Sequence, residues 1–117
     1  MIKLNETSRI NALQKLDELI SNLEFSAVEE LDLHEDLSMR LSSAIGHLYE
    51  VKKDLFNEDY ECLPMDLQMA VRSLLEGLND YILKSYPKTT ELAIDFNSRY
   101  IVPVMHFKSE LLHVVKY

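Results

Sequence analysis

Turn-forming residues are scarce in this chain of 117 residues, which contains only two glycines and three prolines. Glycine and proline break helices and form most of the tight turns that join short strands. A β-rich domain of this length would need many more of them, so their scarcity favours a helical fold. The 47% share of apolar residues is enough for a core and argues against intrinsic disorder. We therefore expect a single helical domain that spans residues 1–117.

Cysteine and long apolar runs are equally sparse. Cys62 is the single cysteine, so no internal disulfide can form, and a reducing cytoplasm is the expected location. The longest apolar run, Tyr100–Met105, has six residues and includes a proline, which is too short to cross a bilayer. The opening residues, MIKLNETSR, lack the apolar stretch of a signal peptide. We expect neither a membrane span nor a membrane partner.

Motifs that carry catalysis are also missing. The sequence contains no glycine-rich phosphate loop and no Gly-x-Ser-x-Gly nucleophile motif. Cys62 lies next to Glu61 and close to Glu58 and Asp59, and nearby carboxylates disfavour the reactive thiolate. We expect a protein that uses no cofactor and is not an enzyme.

Apolar residues recur at helical spacing along four segments. The first stripe contains Ile10, Leu13, Leu16, Ile20 and Leu23. The second is nearly heptad-spaced and contains Leu37, Leu41, Ala44, Leu48, Val51 and Leu55. The third follows Pro64 and contains Leu67, Val71, Leu74, Leu78 and Ile82. With a fourth segment from Thr89 to Val115, these stripes predict an all-α, four-helix antiparallel bundle joined by short loops.

Local signals suggest where the helices begin and bend. Asn5 or Thr7 can cap the first helix, and Ser26 with Glu29 has the spacing of a capping box that would open a second one. Residues 26–34 then form either a short separate helix or the first turns of the long second helix. The run Tyr100–Met105 has strand-like composition, but no partner strand is visible. We therefore favour a last helix that is kinked or broken near Pro103 over an extended edge strand.

Positive charge is absent from one long stretch. The chain carries 20 acidic residues against 12 lysines and arginines, a net charge of −8, and the stretch Asp17–Asp36 holds eight acids without a base. Such a surface repels nucleic acid and attracts basic proteins. Two acidic rows are expected to meet near the Phe25–Ser26 junction. The candidate partner-binding residues are Asp17, Glu24, Glu29, Asp32, Glu35 and Asp36.

These features predict a non-enzymatic, acidic helical protein-interaction module that binds a basic protein partner. Inhibitors, immunity proteins, antitoxins and chaperones of secretion act in this way as a class. Apolar residues outside the main stripe of the third helix, Met69, Leu75 and Tyr81, also allow a homodimer.

Two arginines are each followed seven residues later by a histidine: Arg40 with His47 and Arg99 with His106. On a helix, residues seven apart lie within about 20° of each other. The spacing resembles that of the HEPN ribonucleases, which are all-helical. The resemblance implies that these four residues are catalytic, although neither pair has the residue that usually follows the family's arginine. A HEPN-like ribonuclease, or an inactive relative of one, is the alternative function.

The last helix also carries His106, Glu110 and His113, which share one face at four- and three-residue steps. This spacing occurs in metal-binding bundles. The row lies about 130° from the apolar stripe of its own helix at 100° per residue, so it points to solvent. We therefore expect no metal site.

Overall fold

The computed structural model describes residues 5–30, 35–84 and 89–115, and every element it describes is helical. Three long α-helices come first: α1 (Glu6–Glu30), α2 (Glu35–Phe56) and α3 (Leu63–Lys84). The fourth helix is made of α4 (Thr89–Phe96), a π-helical turn (Asn97–Ile101) and α5 (Val102–Val115). The predicted four-helix bundle with an irregular last helix is confirmed.

Helix α2 lies between α1 and α3, and the fourth helix closes the bundle by packing on α1 and α3. Connections of a few residues make successive helices run antiparallel. The apolar stripe predicted for α2 is fully buried, because a straight helix returns the same face to the core at this spacing. Ile10 departs from its predicted stripe: it is 45% exposed, and Ala12 lies in the core instead. The bundle measures 49 × 22 × 19 Å.

Helix α1 begins where the sequence predicts and ends later than expected. Asn5 is the cap, since its Oδ1 accepts a hydrogen bond of 2.8 Å from the Ser8 amide. The predicted second start at Ser26 is wrong, because α1 runs without a break to Glu30. Ala27 is buried, and its carbonyl accepts a hydrogen bond of 2.8 Å from the Ser38 hydroxyl of α2. Tertiary packing therefore extends α1 through the apparent capping box.

The fourth helix accommodates Pro103 by a π turn directly before it. Proline has no N–H to donate four residues back, and its ring crowds the carbonyl at that position. In the π turn the Val102 amide donates to the Asn97 carbonyl, five residues back. The residues Tyr100–Met105 are therefore helical, and the alternative of an extended edge strand is wrong. The irregularity of the fourth helix therefore lies in the turn that precedes the proline.

None of the helices in the described part of the chain is both long and apolar enough to cross a membrane.

Candidate functional site

Two of the predicted acidic residues lie along the border between α1 and α2. The Asp17 Oδ1 is 2.9 Å from the Lys52 Nζ, and the Glu24 Oε1 accepts a hydrogen bond of 3.0 Å from the Tyr49 hydroxyl. These hydrogen bonds are the main cause of a raised pKa for both Lys52 and Tyr49. Asp17 and Glu24 therefore hold α1 against α2 while their side chains stay largely in solvent.

Glu29 lies on a different side of α1. Twelve residues at 100° each place it about 120° from Asp17, whereas Glu18 is only about 20° from Glu29. Because α1 is continuous, the described residues have no helix junction at Phe25–Ser26, and Glu29 belongs to α1 and not to a second helix. One strip, Asp17 and Glu24, borders α2, and a second strip, Glu18 and Glu29, points outward.

The side chains of the other three predicted acids lie outside the described part of the structure. Asp32 lies outside the described residues. Glu35 and Asp36 lie in the first turn of α2, and their side chains are likewise outside the described set.

Two apolar side chains that the sequence reading did not single out lie between the acidic strips. Phe25 is 68% exposed and Val28 is 71% exposed. At 100° per residue, Val28 is about 20° from Asp17 and Phe25 is about 20° from Glu18. The sequence could have identified them, because both lie outside the apolar stripe of α1 when that stripe is continued past Ser26. The apparent helix break at Ser26 prevented this extension. We call Asp17, Glu18, Glu24, Phe25, Val28 and Glu29 the acidic face of α1.

Arg40 and His47 lie on α2, whereas Arg99 lies in the π turn and His106 lies on α5. Arg40 contacts Glu76 of α3 at 2.7 Å. Arg99 pairs with Asp95 at 3.5 Å, and its guanidinium lies 5.3 Å from the centre of the Tyr100 ring. Each arginine is therefore already engaged by a carboxylate of its own part of the bundle.

We expect the protein to leave single-stranded RNA intact. Carboxylates already bind both arginines, and a net charge of −8 opposes the approach of phosphates. The double variants Arg40→Ala/His47→Ala and Arg99→Ala/His106→Ala should accordingly match the wild type when a labelled RNA is incubated and resolved on a gel. RNA cleavage that one of these variants abolishes would establish the HEPN-like alternative and identify its site.

The His–Glu–His row of α5 lies at the surface beside α1. The Glu110 carboxylate is 3.4 Å from the His106 Nδ1 and 3.1 Å from the Lys15 Nζ, and the His106 side chain is 74% exposed. Within the described residues, no three His, Cys, Asp or Glu side chains are arranged to hold a metal ion. A groove of about 190 Å³ lies alongside, with Ala12, Phe107 and Leu111 among its lining residues.

The turn between α2 and α3 forms a second acidic cluster. The Cys62 amide donates to the Asp59 Oδ1 at 3.3 Å. The pKa of the Cys62 thiol is raised, chiefly by its hydrogen bond with Asp59 and then by that carboxylate's charge, so the thiolate is disfavoured as its neighbours predict. Asp54 is only 7% exposed and faces Asp66 across this turn.

No family model, curated protein or solved structure matches this chain.

Proposed function

We propose that the protein is a non-enzymatic interaction module that binds a basic protein partner in the cytoplasm through the acidic face of α1. The observation that carries this proposal is the pair of exposed apolar side chains, Phe25 and Val28, set between strips of acids. The second half of α1, from Asp17 to Glu30, holds five acids and no base.

The two kinds of side chain support different parts of binding. Charge complementarity raises the rate of encounter with a cationic surface and disfavours anionic competitors. Large side chains that become fully buried at the centre of an interface are among the few residues that contribute most of the binding energy. Phe25 already exposes 68% of its surface to water, so its burial by a partner would be favourable.

The partner expected from this chemistry is a protein that presents lysine and arginine around an apolar cleft. The acidic face of α1 would repel a copy of itself. A homodimer would therefore use another face, and the apolar residues of α3, among them the half-exposed Leu75, supply one.

The first test is affinity capture from a lysate of the source cell at about 50 mM salt, with bound proteins quantified by mass spectrometry. The acidic-face variant is Glu18→Gln/Glu29→Gln. Its matched control, Glu61→Gln/Glu91→Gln, removes the same charge from exposed positions elsewhere. We expect a basic protein that the wild type and the control retain and that the acidic-face variant loses. Equal capture by all three would contradict the proposal.

Once that partner is purified, we expect its association rate to fall steeply between about 50 and 300 mM salt, because the screening length passes through about 10 Å near 0.1 M. Glu18→Gln/Glu29→Gln should slow association more than it speeds dissociation. Phe25→Ser should do the opposite and speed dissociation, since a desolvated anchor acts on the lifetime of a complex.

The control for the anchor is Ile94→Ser on α4, which removes an apolar side chain that is 64% exposed. It should leave both rates unchanged. Surface plasmon resonance separates the two rates. Binding that is insensitive to salt and to both α1 variants would place the interface on another helix.

A further inference from the structure

We propose that the carboxyl groups of Asp54 and Asp66 share a single proton that fastens the turn between α2 and α3, and that this turn loosens when the proton leaves. Asp54 lies in the last full turn of α2, and Asp66 lies in the first turn of α3. The shared proton would therefore join two consecutive helices at the point where the chain reverses.

Burial is the first observation behind this proposal. Asp54 is 7% exposed, and its Oδ2 has no hydrogen-bond partner among the described residues. A buried carboxylate without a donor is costly, because it loses its hydration and gains nothing in return. A protonated Asp54 would instead donate a hydrogen bond to the Asp66 carboxylate that it faces.

The charges around Asp54 favour the same protonated form. Asp66 faces it from α3, Asp59 from the turn and Glu50 from its own helix, and all three are acids. From α1, Arg9 reaches the neighbouring Leu55 carbonyl at 3.5 Å, but its guanidinium is paired with Glu6 at 2.7 Å. Burial, followed by the hydrogen bond and charge of Asp66, raises the pKa of Asp54 to about 7.

The backbone of the turn depends on the same residues. The Asp59 amide donates to the Asp54 carbonyl at 2.9 Å, and the Asp66 amide donates to the Cys62 carbonyl at 3.1 Å. Glu58, between them, has a φ of 55°, in the left-handed region that non-glycine residues rarely occupy. Loss of the shared proton would place two carboxylates in repulsion beside a turn that is already strained.

The sign of the pH dependence follows from the direction of the shift. The pKa of Asp54 is higher in the folded protein than the value near 3.9 expected for an unfolded chain. The native state therefore holds the proton between about pH 4 and pH 7, where the unfolded state has lost it. This contribution to stability is complete at acidic pH, falls as the pH rises towards 7, and is absent above it.

Carbon-13 NMR of the aspartate carboxyl groups in the intact protein tests the proton directly. We expect the Asp54 signal to titrate within about one pH unit of 7. The wild type suffices for this measurement, so it stands even if a variant fails to fold. An Asp54 signal that titrates near pH 4 would overturn the proposal.

Urea unfolding of wild type and Asp54→Asn tests the coupling to stability. Asparagine has the shape of the protonated acid and can donate to Asp66 without titrating. We expect the unfolding constant of the wild type, relative to the variant, to rise up to tenfold per pH unit between pH 5 and 7 and to stay level above that. All other ionisable groups are the same in the two proteins, so the ratio isolates the contribution of Asp54. An unchanging ratio would contradict the proposal.

Amide hydrogen exchange tests whether the turn itself opens. After correction for intrinsic exchange, protection of the Asp59 amide should fall above pH 7 in the wild type and stay constant in Asp54→Asn. Asp95→Asn, which alters a carboxylate that is 60% exposed, is the control and should behave as the wild type. Protection that is equal at pH 6 and pH 8 in the wild type would show that the proton does not hold the turn.

Discussion

Replacement of Phe96 by alanine is expected to lower the free energy of unfolding by about 3 to 5 kcal/mol, the usual cost of removing a buried phenylalanine. Phe96 is 1% exposed and ends α4, just before the π turn. Its ring meets Tyr100 edge to face, with centroids 4.9 Å apart. On α3, a Cβ placed on Gly77 would lie 3.5 Å from the Phe96 ring. The side chain therefore fastens the irregular fourth helix to the rest of the bundle.

Urea denaturation followed by circular dichroism at 222 nm measures this loss. The matched control is Ile94→Ala. It truncates an apolar side chain on the same helix, and this side chain is 64% exposed. It should change the free energy of unfolding by less than about 0.5 kcal/mol. A Phe96→Ala variant that loses less than about 1 kcal/mol would mean that the fourth helix is held in place by other contacts.

The core of α2 shows how far apolar spacing alone predicts this fold. Every residue of its predicted stripe is buried, because α2 is a continuous helix that packs against α1 and α3. The same logic predicts α3 between Pro64 and the proline at 87. Regular helices that bury a wide stripe are the part of a bundle that a sequence determines most directly.

The end of α1 was not predictable from local sequence. Ser26 and Glu29 match a capping box. Ala27, which lies between them, is nevertheless buried, and its carbonyl accepts a hydrogen bond from the Ser38 hydroxyl of α2. That contact joins positions 11 residues apart, which a local motif does not detect. The predicted arrangement of the acidic rows assumed a helix break at this point, so it was not predictable from local sequence either.

The fourth helix and the α2–α3 turn show two other limits. Pro103 predicts an irregularity, but the π turn absorbs it over Asn97–Ile101, before the proline. Asp54 looks in the sequence like one more surface acid between Lys53 and Leu55, but in the folded bundle it is only 7% exposed. Net charge and its distribution along the chain are readable from sequence, whereas the burial of a single carboxyl group is a property of the assembled bundle.

The chain has two glycines, both inside helices, and they occupy opposite environments. A Cβ on Gly46 of α2 would meet nothing within 4 Å, whereas a Cβ on Gly77 of α3 would lie 3.0 Å from the Arg40 Cβ and 3.4 Å from its Cγ. The Arg40 Cβ is attached directly to the backbone of α2, so it cannot move without shifting that helix. Gly77 therefore permits the close approach of α2 and α3.

Substitution of leucine at these two positions should have effects of opposite sign. Gly77→Leu forces α2 and α3 apart and should lower the free energy of unfolding by about 1 to 3 kcal/mol, the usual cost of overpacking. Gly46→Leu should raise it by about 0.5 to 1 kcal/mol, because glycine is a poor helix former and the added Cβ meets no neighbour. Urea denaturation of both variants beside the wild type measures the difference, and their helix content by circular dichroism should stay the same. Equal effects at the two positions would contradict the close approach of α2 and α3 at Gly77.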